Sequence, residues 1–589
     1  MTAYFLVRRI LGVLLAVQTV WFAGFQGGGI GVRAQRLVDF QVAQPPPVPH
    51  DANQCTIQVL QRDFAFSFGM AEIVQLEPPT DCGPPGSWAA ITLNFTVTSN
   101  GTQFDRLGIF TFQNVEIWRT STPEPTRGDG IIWEYIKDVT RYMPLFAKPG
   151  TFILQLDNLI QEGLDGVYST VLHATYYASS DKHPPAQQSD LIVPLSTLRN
   201  DTGNDASVPP GFSIDVTLPQ NTVEVYAELY ASGNGQEEFW YFSVPDQFLP
   251  DIPDGLALGQ GPFREVRLLI DGQVAGVVFP YATIFTGGFT PPCWRPITSF
   301  GALDLPTYFL DVTPFVPLLA DGQAHNFTID VVSAESDHTI LQNWFVSGNL
   351  QVFTDPSGQP TTGKMLRVDN QPFAKTKSEG GLDRNGDLRF TVSASRSIHI
   401  ESEIVSGGNK TSHVTWTQQY AYSSAQQWLN NSLIQNMQQT ASGVFTSSHD
   451  NQAAVRDRFS YPLNINFTNL NTNFTDWFTS FDHSYNRDLL PMPIIARSVI
   501  NNRQLADGFF HLQTGGNVGN GTNSNVFNYK DDAGNTYSRR VNAEFNVITL
   551  DQQSGSLAPA PEPSPLVVQG ASSTTFSTPR LPRIGPDNV

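Results

Sequence analysis

The segment DVTRYMPLFAKPGTF, which begins at Asp138, returns in altered form as DVTPFVPLLADGQAHNF from Asp311. Two further echoes keep the same order. Trp118-Arg119 precedes the first copy and Trp294-Arg295 the second, and upstream of these SNGTQFDR (99–106) can be set against GNGQEEFW (233–240). One such pairing is within the reach of chance, but three in one order argue for two related units in tandem. Periodicity says what the units are made of. NTVEVYAELYASG (221–233) alternates apolar and polar residues, which buries one face of a strand and leaves the other in water. VYSTVLHATYY (Val167–Tyr177) is rich in the aromatic and β-branched side chains that suit a pleated surface, and 263–280 reads as two strands around an Asp271-Gly272 hairpin turn. An all-β chain follows, with jelly-roll-like sandwiches at 51–180 and 190–355.

A third strand-patterned region, 363–550, adds a further β domain, exemplified by LRFTVSASRSIHIESEI from Leu388. Only 15% of the residues are charged, whereas the chain holds 47 Gly and 42 Pro, a mixture that favours short strands and turns over helices. A Pro-rich linker is expected over 36–50 and a disordered Pro/Ser/Thr-rich tail over 554–589. In the first 35 residues, Arg8 and Arg9 precede a short apolar run, the pattern of a secretory signal peptide, with a retained signal anchor as the alternative. No later segment is long and apolar enough to be a spanning helix, so no stable membrane partner is expected once the signal is cleaved.

Sequons at Asn94, Asn100, Asn200, Asn326, Asn409, Asn430, Asn466, Asn473 and Asn520 agree with export and glycosylation. Cys55 and Cys82 are expected to pair in that oxidising route, leaving Cys293 as a buried, inert thiol. The net charge of −20 repels phosphate backbones and argues against a nucleic-acid partner.

The chemistry narrows by elimination. HExxH, Gly-x-Ser-x-Gly and phosphate-cradling Gly-rich loops are missing, and the histidines are scattered, so neither a metal nor a nucleophilic triad is supported. DRNGD (383–387) lacks the downstream Glu of a calcium loop and reads as a hairpin turn. What remains is carboxylates beside aromatics and arginines, a combination suited to sugars because flat rings stack on pyranose faces while acids and Arg bind hydroxyls. Asp105-Arg106, Glu116, Trp118-Arg119, Glu124 and Glu237-Glu238 before Phe239-Trp240-Tyr241 are the places to look. Asp138 and Asp311 recur with identical neighbours, and one active site does not need a feature twice, so a turn or cap role is expected for both. Trp118-Arg119 and Trp294-Arg295 are open to a scaffold reading on the same ground. Glu124, Glu237 and Glu238 are not duplicated.

At these residues the chain resembles the peptide-N-glycanase A family, the plant and fungal peptide-N4-(N-acetyl-β-glucosaminyl)asparagine amidases. The matching text is QFDRLGIFTFQNVEIWRTSTPEPTRGDGIIWEYIKDVTRY (103–142), continued in GPFREVRLLIDGQVAGVVFPYATIFTGGFTPPCWRPITSFGALDLPTYFLDVTPF (261–315). The likeness covers roughly 50–355 and weakens beyond 360. QEEFWY departs from an expected Asp-Glu before the aromatics, with Glu237 keeping the charge and Glu238 the residue. The resemblance implies hydrolysis of the β-aspartyl-glucosaminyl amide of an N-glycopeptide or glycoprotein without a cofactor, at the junction of tandem jelly rolls. Asp105 is then expected to act as general base and Glu124 and Glu238 as supporting acids. Arg106 is expected as electrostatic partner, with Trp118 and Trp240 stacking on the core sugars and Arg119, Glu237, Arg264, Trp294 and Arg295 as further binding residues. An endoglycosidase cutting the chitobiose core and a non-catalytic glycan-binding sandwich are the competing readings.

Overall fold

A computed structural model describes residues 36–197, 206–490, 497–513 and 517–559. The leader at 1–35, the sequon at Asn200 and the tail from 560 lie outside the described residues.

The first sandwich packs a sheet ordered Leu37–Asp39, Ile131–Asp138, Ala90–Asn100, Val167–Tyr177, Gln54–Phe64 against one ordered Glu72–Leu76, Gly150–Leu156, Leu107–Phe112, Val115–Ser121. The second repeats this connectivity strand for strand. Tyr308–Asp311, Thr222–Asn234, Asn343–Thr354 and Leu191–Leu195 form one sheet, and Phe212–Val216, His325–Val332, Glu265–Ile270 and Gln273–Val278 the other. Each is an eight-stranded jelly roll carrying one extra strand, Leu37–Asp39 at the edge of the first and Ala206–Val208, paired with Asn343–Thr354, in the second. The duplicated aspartates occupy equivalent turns: Thr140 N–H donates to Asp138 Oδ1 at 2.9 Å and Thr313 N–H to Asp311 Oδ1 at 2.8 Å. Each is a short side-chain-to-backbone turn that closes a strand, the role that duplication implies. The Asp271-Gly272 hairpin forms as expected, with both residues at positive φ (48° and 78°).

Two expectations about organisation change. The segment 36–50 is not simply a linker, because Leu37–Asp39 pairs in parallel with Ile131–Asp138 and Phe40 bridges to Ile297 of the second sandwich. Its apolar alternation, with Val42 buried, lets it strap the two sandwiches together. The third region is one eleven-stranded antiparallel sheet, Thr362–Asp369 through Val547–Ser554. Its central strands alternate, as in Leu388–Val405, and among the described residues its buried face has no second sheet of its own. That face packs on the second sandwich, so the two share one hydrophobic core that includes Phe263, Phe279, Tyr420 and Tyr422. The first sandwich keeps a separate core around Trp88, Phe110 and Trp118. Residues to 558 form a single compact unit.

The DRNGD segment is a hairpin turn held by Asp383 Oδ1, which accepts from the N–H groups of Asn385 and Asp387 at 2.8 and 3.1 Å. Cys55 and Cys82 are disulfide-bonded and Cys293 is buried. Of the described sequons, Asn100, Asn409, Asn430, Asn466, Asn473 and Asn520 are exposed, whereas Asn94 and Asn326 are half-buried. No helix among the described residues is long and apolar enough to cross a membrane.

Candidate functional site

Four topologically equivalent connections, two from each sandwich, meet at one place. In the first sandwich the connection after Ala90–Asn100 carries Asp105 and Arg106, and the one after Val115–Ser121 carries Glu124. In the second, the connection after Thr222–Asn234 carries Glu238, and the one after Gln273–Val278 carries Thr286, Gly287 and Arg295. Asp105 and Glu238 thus follow equivalent strands of the two copies.

Contacts between the copies are direct. Gly287 N–H donates to Asp105 Oδ2 at 3.0 Å, and Glu124 N–H donates to Thr286 Oγ1 at 3.2 Å. Arg295 Nη2 donates to the Glu124 backbone carbonyl at 2.9 Å and lies 3.6 Å from Glu124 Oε2. A Cβ built on Gly287 would stand 2.6 Å from Glu124 Oε1 and 3.1 Å from Asp105 Oδ1. The two carboxylates therefore flank the glycine, and a side chain there would have to displace one of them. Glu238 completes the group from the other sandwich. It also borders a small cavity lined by Ser232, Gly233, Trp240, Thr283 and Phe285.

Three half-buried carboxyls this close cannot all ionise, and their surroundings separate them. Glu238 is pushed far above the usual carboxylate range, first by burial and then by the charges of Asp105 and Glu124. Glu124 is pushed up to about 8 by burial and by Asp105, against the pull of Arg295 and Arg106. Asp105 is also raised by burial, but it alone accepts an N–H of the glycine loop, and Arg106 opposes the shift. Neighbouring carboxylate charge thus pushes both glutamates up, whereas for Asp105 every influence other than burial pulls down, a separation of the kind acid–base chemistry uses. Arg106 is fixed by Nη2 donating to Gln103 Oε1 at 2.6 Å, and its Nε–H is buried without a partner.

Residues 44–371 match the family model described as Peptide N-acetyl-beta-D-glucosaminyl asparaginase amidase A, a stretch longer than half the chain that contains all three acids. The chain belongs to this family. Residues 389–463 match the PNGase_A C-terminal domain. A curated relative from Prunus dulcis, named peptide-N4-(N-acetyl-beta-glucosaminyl)asparagine amidase A, is 34% identical over 383 residues. That match covers 61% of this chain and 64% of the relative's length. Among solved structures, recombinant peptide: N-glycanase F (PNGase F) aligns at 15% identity and a TM-score of 0.32, covering 51% of this chain and 96% of its own. The STIV MCP aligns at 10% and 0.22, covering 52% and 97%.

In this amidase A family member most of the other expected binding residues turn out to be framework. Trp118 is fully buried, stacked on Phe110 at 4.7 Å, with Nε1–H donated to Leu303 O at 3.1 Å, so its ring cannot meet a sugar. Arg119 chelates buried Glu116 at 2.7 and 2.8 Å and donates across the sandwich junction to Ser232 Oγ and Phe345 O. Glu237 and Arg264 form a bidentate pair at 2.6 and 2.7 Å with no exposed surface on either side chain. Trp240 is 4% exposed and packs against Trp344, reaching only the small cavity beside Glu238. Trp294 is buried and donates Nε1–H to Gly288 O at 2.9 Å, which supports the glycine loop from below. The apparent pairing of Trp118-Arg119 with Trp294-Arg295 is not a structural equivalence, because the first lies on a strand and the second in the connection after its counterpart.

Arg295 stays at the site. The half-exposed aromatics on the site's connections are Phe104, Phe239, Phe242, Phe285 and Phe289, and all but Phe242 lie within two residues of Asp105, Glu238 or Gly287 in sequence. That adjacency to the acids was a readable signal, and Gly287-Gly288 was the unremarked one.

Proposed function

We propose that this chain hydrolyses the amide between a glycan's first N-acetylglucosamine and the Asn side chain of a glycopeptide. The observation that carries the reading is the meeting of Asp105 and Glu124 from one jelly roll with Glu238 from the other, with acidities driven apart. Ionised Asp105 takes a proton from water as the water oxygen adds to the side-chain carbonyl carbon. Charge developing on the carbonyl oxygen is offset by Arg106, whose unpartnered Nε–H is a donor in reserve. A protonated glutamate, Glu124 or Glu238, then gives its proton to the departing nitrogen. The C–N bond breaks, leaving Asp in the peptide and a 1-amino sugar as the other product. Phe104, Phe239 and Phe285 offer ring faces to the saccharide. The basic-then-apolar leader and the spread of sequons support secretion of a glycosylated protein.

Incubation of a defined N-glycopeptide with the purified chain, read by peptide mass, tests this. The expected product carries Asp at the former glycosylation site. Asn bearing a single N-acetylglucosamine would make the chain an endoglycosidase, and an unchanged glycopeptide would leave it a glycan-binding protein.

Gly287→Ala should lower that turnover by about 10²-fold, because the new methyl must push Glu124 or Asp105 out of place. Steady-state kinetics beside a melting curve measures it. Wild-type turnover in the alanine variant would mean that the glycine loop does not press on the acids.

A further inference from the structure

The connection that presents Gly287 and Arg295 is held from behind by the C-terminal sheet. Asn523, on Val518–Asp531, donates Nδ2–H to Cys293 O at 2.8 Å and to Ile297 O at 3.2 Å, and so straddles Arg295. Gln504, on the neighbouring Ser498–His511, receives Phe300 N–H at 3.0 Å and donates to Thr298 O at 3.0 Å and to Asn523 Oδ1 at 3.1 Å. Trp477 donates Nε1–H to Phe289 O at 3.0 Å. Close packing reinforces the clamp. A Cβ on Gly521 would stand 2.6 Å from the Pro292 carbonyl, and one on Gly508 would collide with Cys293 Sγ. Those two strand glycines are replaceable by nothing larger without moving 290–294.

These contacts do more than pack two surfaces. Buried amides that satisfy main-chain carbonyls on both sides of one arginine fix its backbone direction, and a misplacement of ångström size at a reacting centre has large kinetic consequences. We propose that Asn523, supported by Gln504, is a positioning residue for Arg295 and Gly287, so that the C-terminal sheet is a working part of the acid cluster rather than a separate binding module. The proposal rests on the amidase reading for its kinetic consequence, although not for its structural one.

The sign of the pH effect follows from what faces Glu124. Asp105 raises its pKa, whereas Arg295 and Arg106 lower it; Glu238 and Tyr168 are the other titratable groups coupled to it. Arg295 in turn faces buried Asp39 on the N-terminal strap. Loosening Arg295 removes a charge that favours ionised Glu124, so the limb of the pH profile set by Glu124 should move to higher pH.

The test is Asn523→Ala in the full chain, with Lys530→Ala, an exposed position on the same strand, as control. On a defined N-glycopeptide, kcat should fall about 10²-fold with little change in KM, and the Glu124 limb should shift upward. Hydrogen exchange over 286–300 should accelerate in Asn523→Ala and not in the control. A wild-type pH profile, or activity that falls only in step with the melting temperature, would overturn the proposal, as would unchanged exchange over 286–300. If the wild-type chain leaves every glycopeptide intact, the amidase reading fails, while the exchange measurement still decides whether Asn523 holds the loop.

Discussion

Asp105→Asn should reduce glycopeptide hydrolysis by about 10²- to 10⁴-fold while the protein stays folded, the range expected when a positioned general base is removed. The amide is isosteric and can still accept Gly287 N–H through its oxygen, so the loop contact at 3.0 Å need not break. What disappears is the one acid of the three that no neighbouring carboxylate charge pushes upward. The substitution has a second, diagnostic effect. The Asp105 charge is among the influences that push Glu124 up to about 8. Without it Glu124 ionises more readily, so the limb of any residual activity governed by Glu124 should move to lower pH, opposite to the shift expected for Asn523→Ala. Peptide mass spectrometry across a pH series, with a melting curve as control for folding, measures both effects. Near-wild-type turnover at any pH would remove Asp105 from the role of base and transfer it to Glu124 or Glu238.

How far this was readable in the chain alone depends on whether the deciding neighbours are local. The duplicated DVT segments, the alternating strands and the Asp-Gly hairpin are all local patterns, and from them two jelly rolls in tandem could be written down with their order. Setting 99–106 against 233–240 placed Asp105 and Glu238 after equivalent strands, which is where they are. The tryptophans were misjudged because exposure is not local. Val115–Ser121 is buried at every position, one face by its own core and the other by the second sandwich, so Trp118 and Arg119 point into protein on both sides. A strand that alternates in water would have left one of them free. The same blindness hid the dependence of the third sheet on its neighbour. Nothing in its Gln- and Asn-rich strands marks those amides as buried, yet Gln418 bonds both the N–H and the carbonyl of Val277, and Asn523 and Gln504 grip 293–300. Side-chain amides can pair with exposed main chain in both senses, and composition does not say which main chain they will find.

Arg264→Met should destabilise the fold by about 3–5 kcal/mol near neutral pH, the cost of leaving a buried carboxylate without its counter-charge. Glu237 is fully buried and takes two charge-assisted bonds from Arg264, plus Leu341 N–H at 2.7 Å and Trp344 Nε1–H at 2.6 Å. Arg264 also serves three carbonyls, those of Gln260, Gly261 and Phe263. In the native protein the pair holds the Glu237 pKa below its usual value despite burial. Its stabilising effect is thus present above the ordinary carboxylate pKa and lost as pH falls through the lowered one. Methionine reverses that sign. With the guanidinium gone, burial dominates, the folded-state pKa of Glu237 rises, and the variant loses stability as pH increases rather than as it decreases. The deficit relative to wild type should therefore be larger at pH 7 than at pH 4, and adding Glu237→Gln should recover much of it, because a neutral amide keeps an acceptor for Trp344 without a stranded charge. Melting midpoints of the two variants at both pH values decide the matter. A deficit independent of pH, or no recovery in the double variant, would mean that Arg264 acts through its carbonyl contacts and that Glu237 is already neutral in the native core. Glu238 is the next residue along the same turn, so a shift of Glu237 would also displace the acid that the second sandwich contributes to the site.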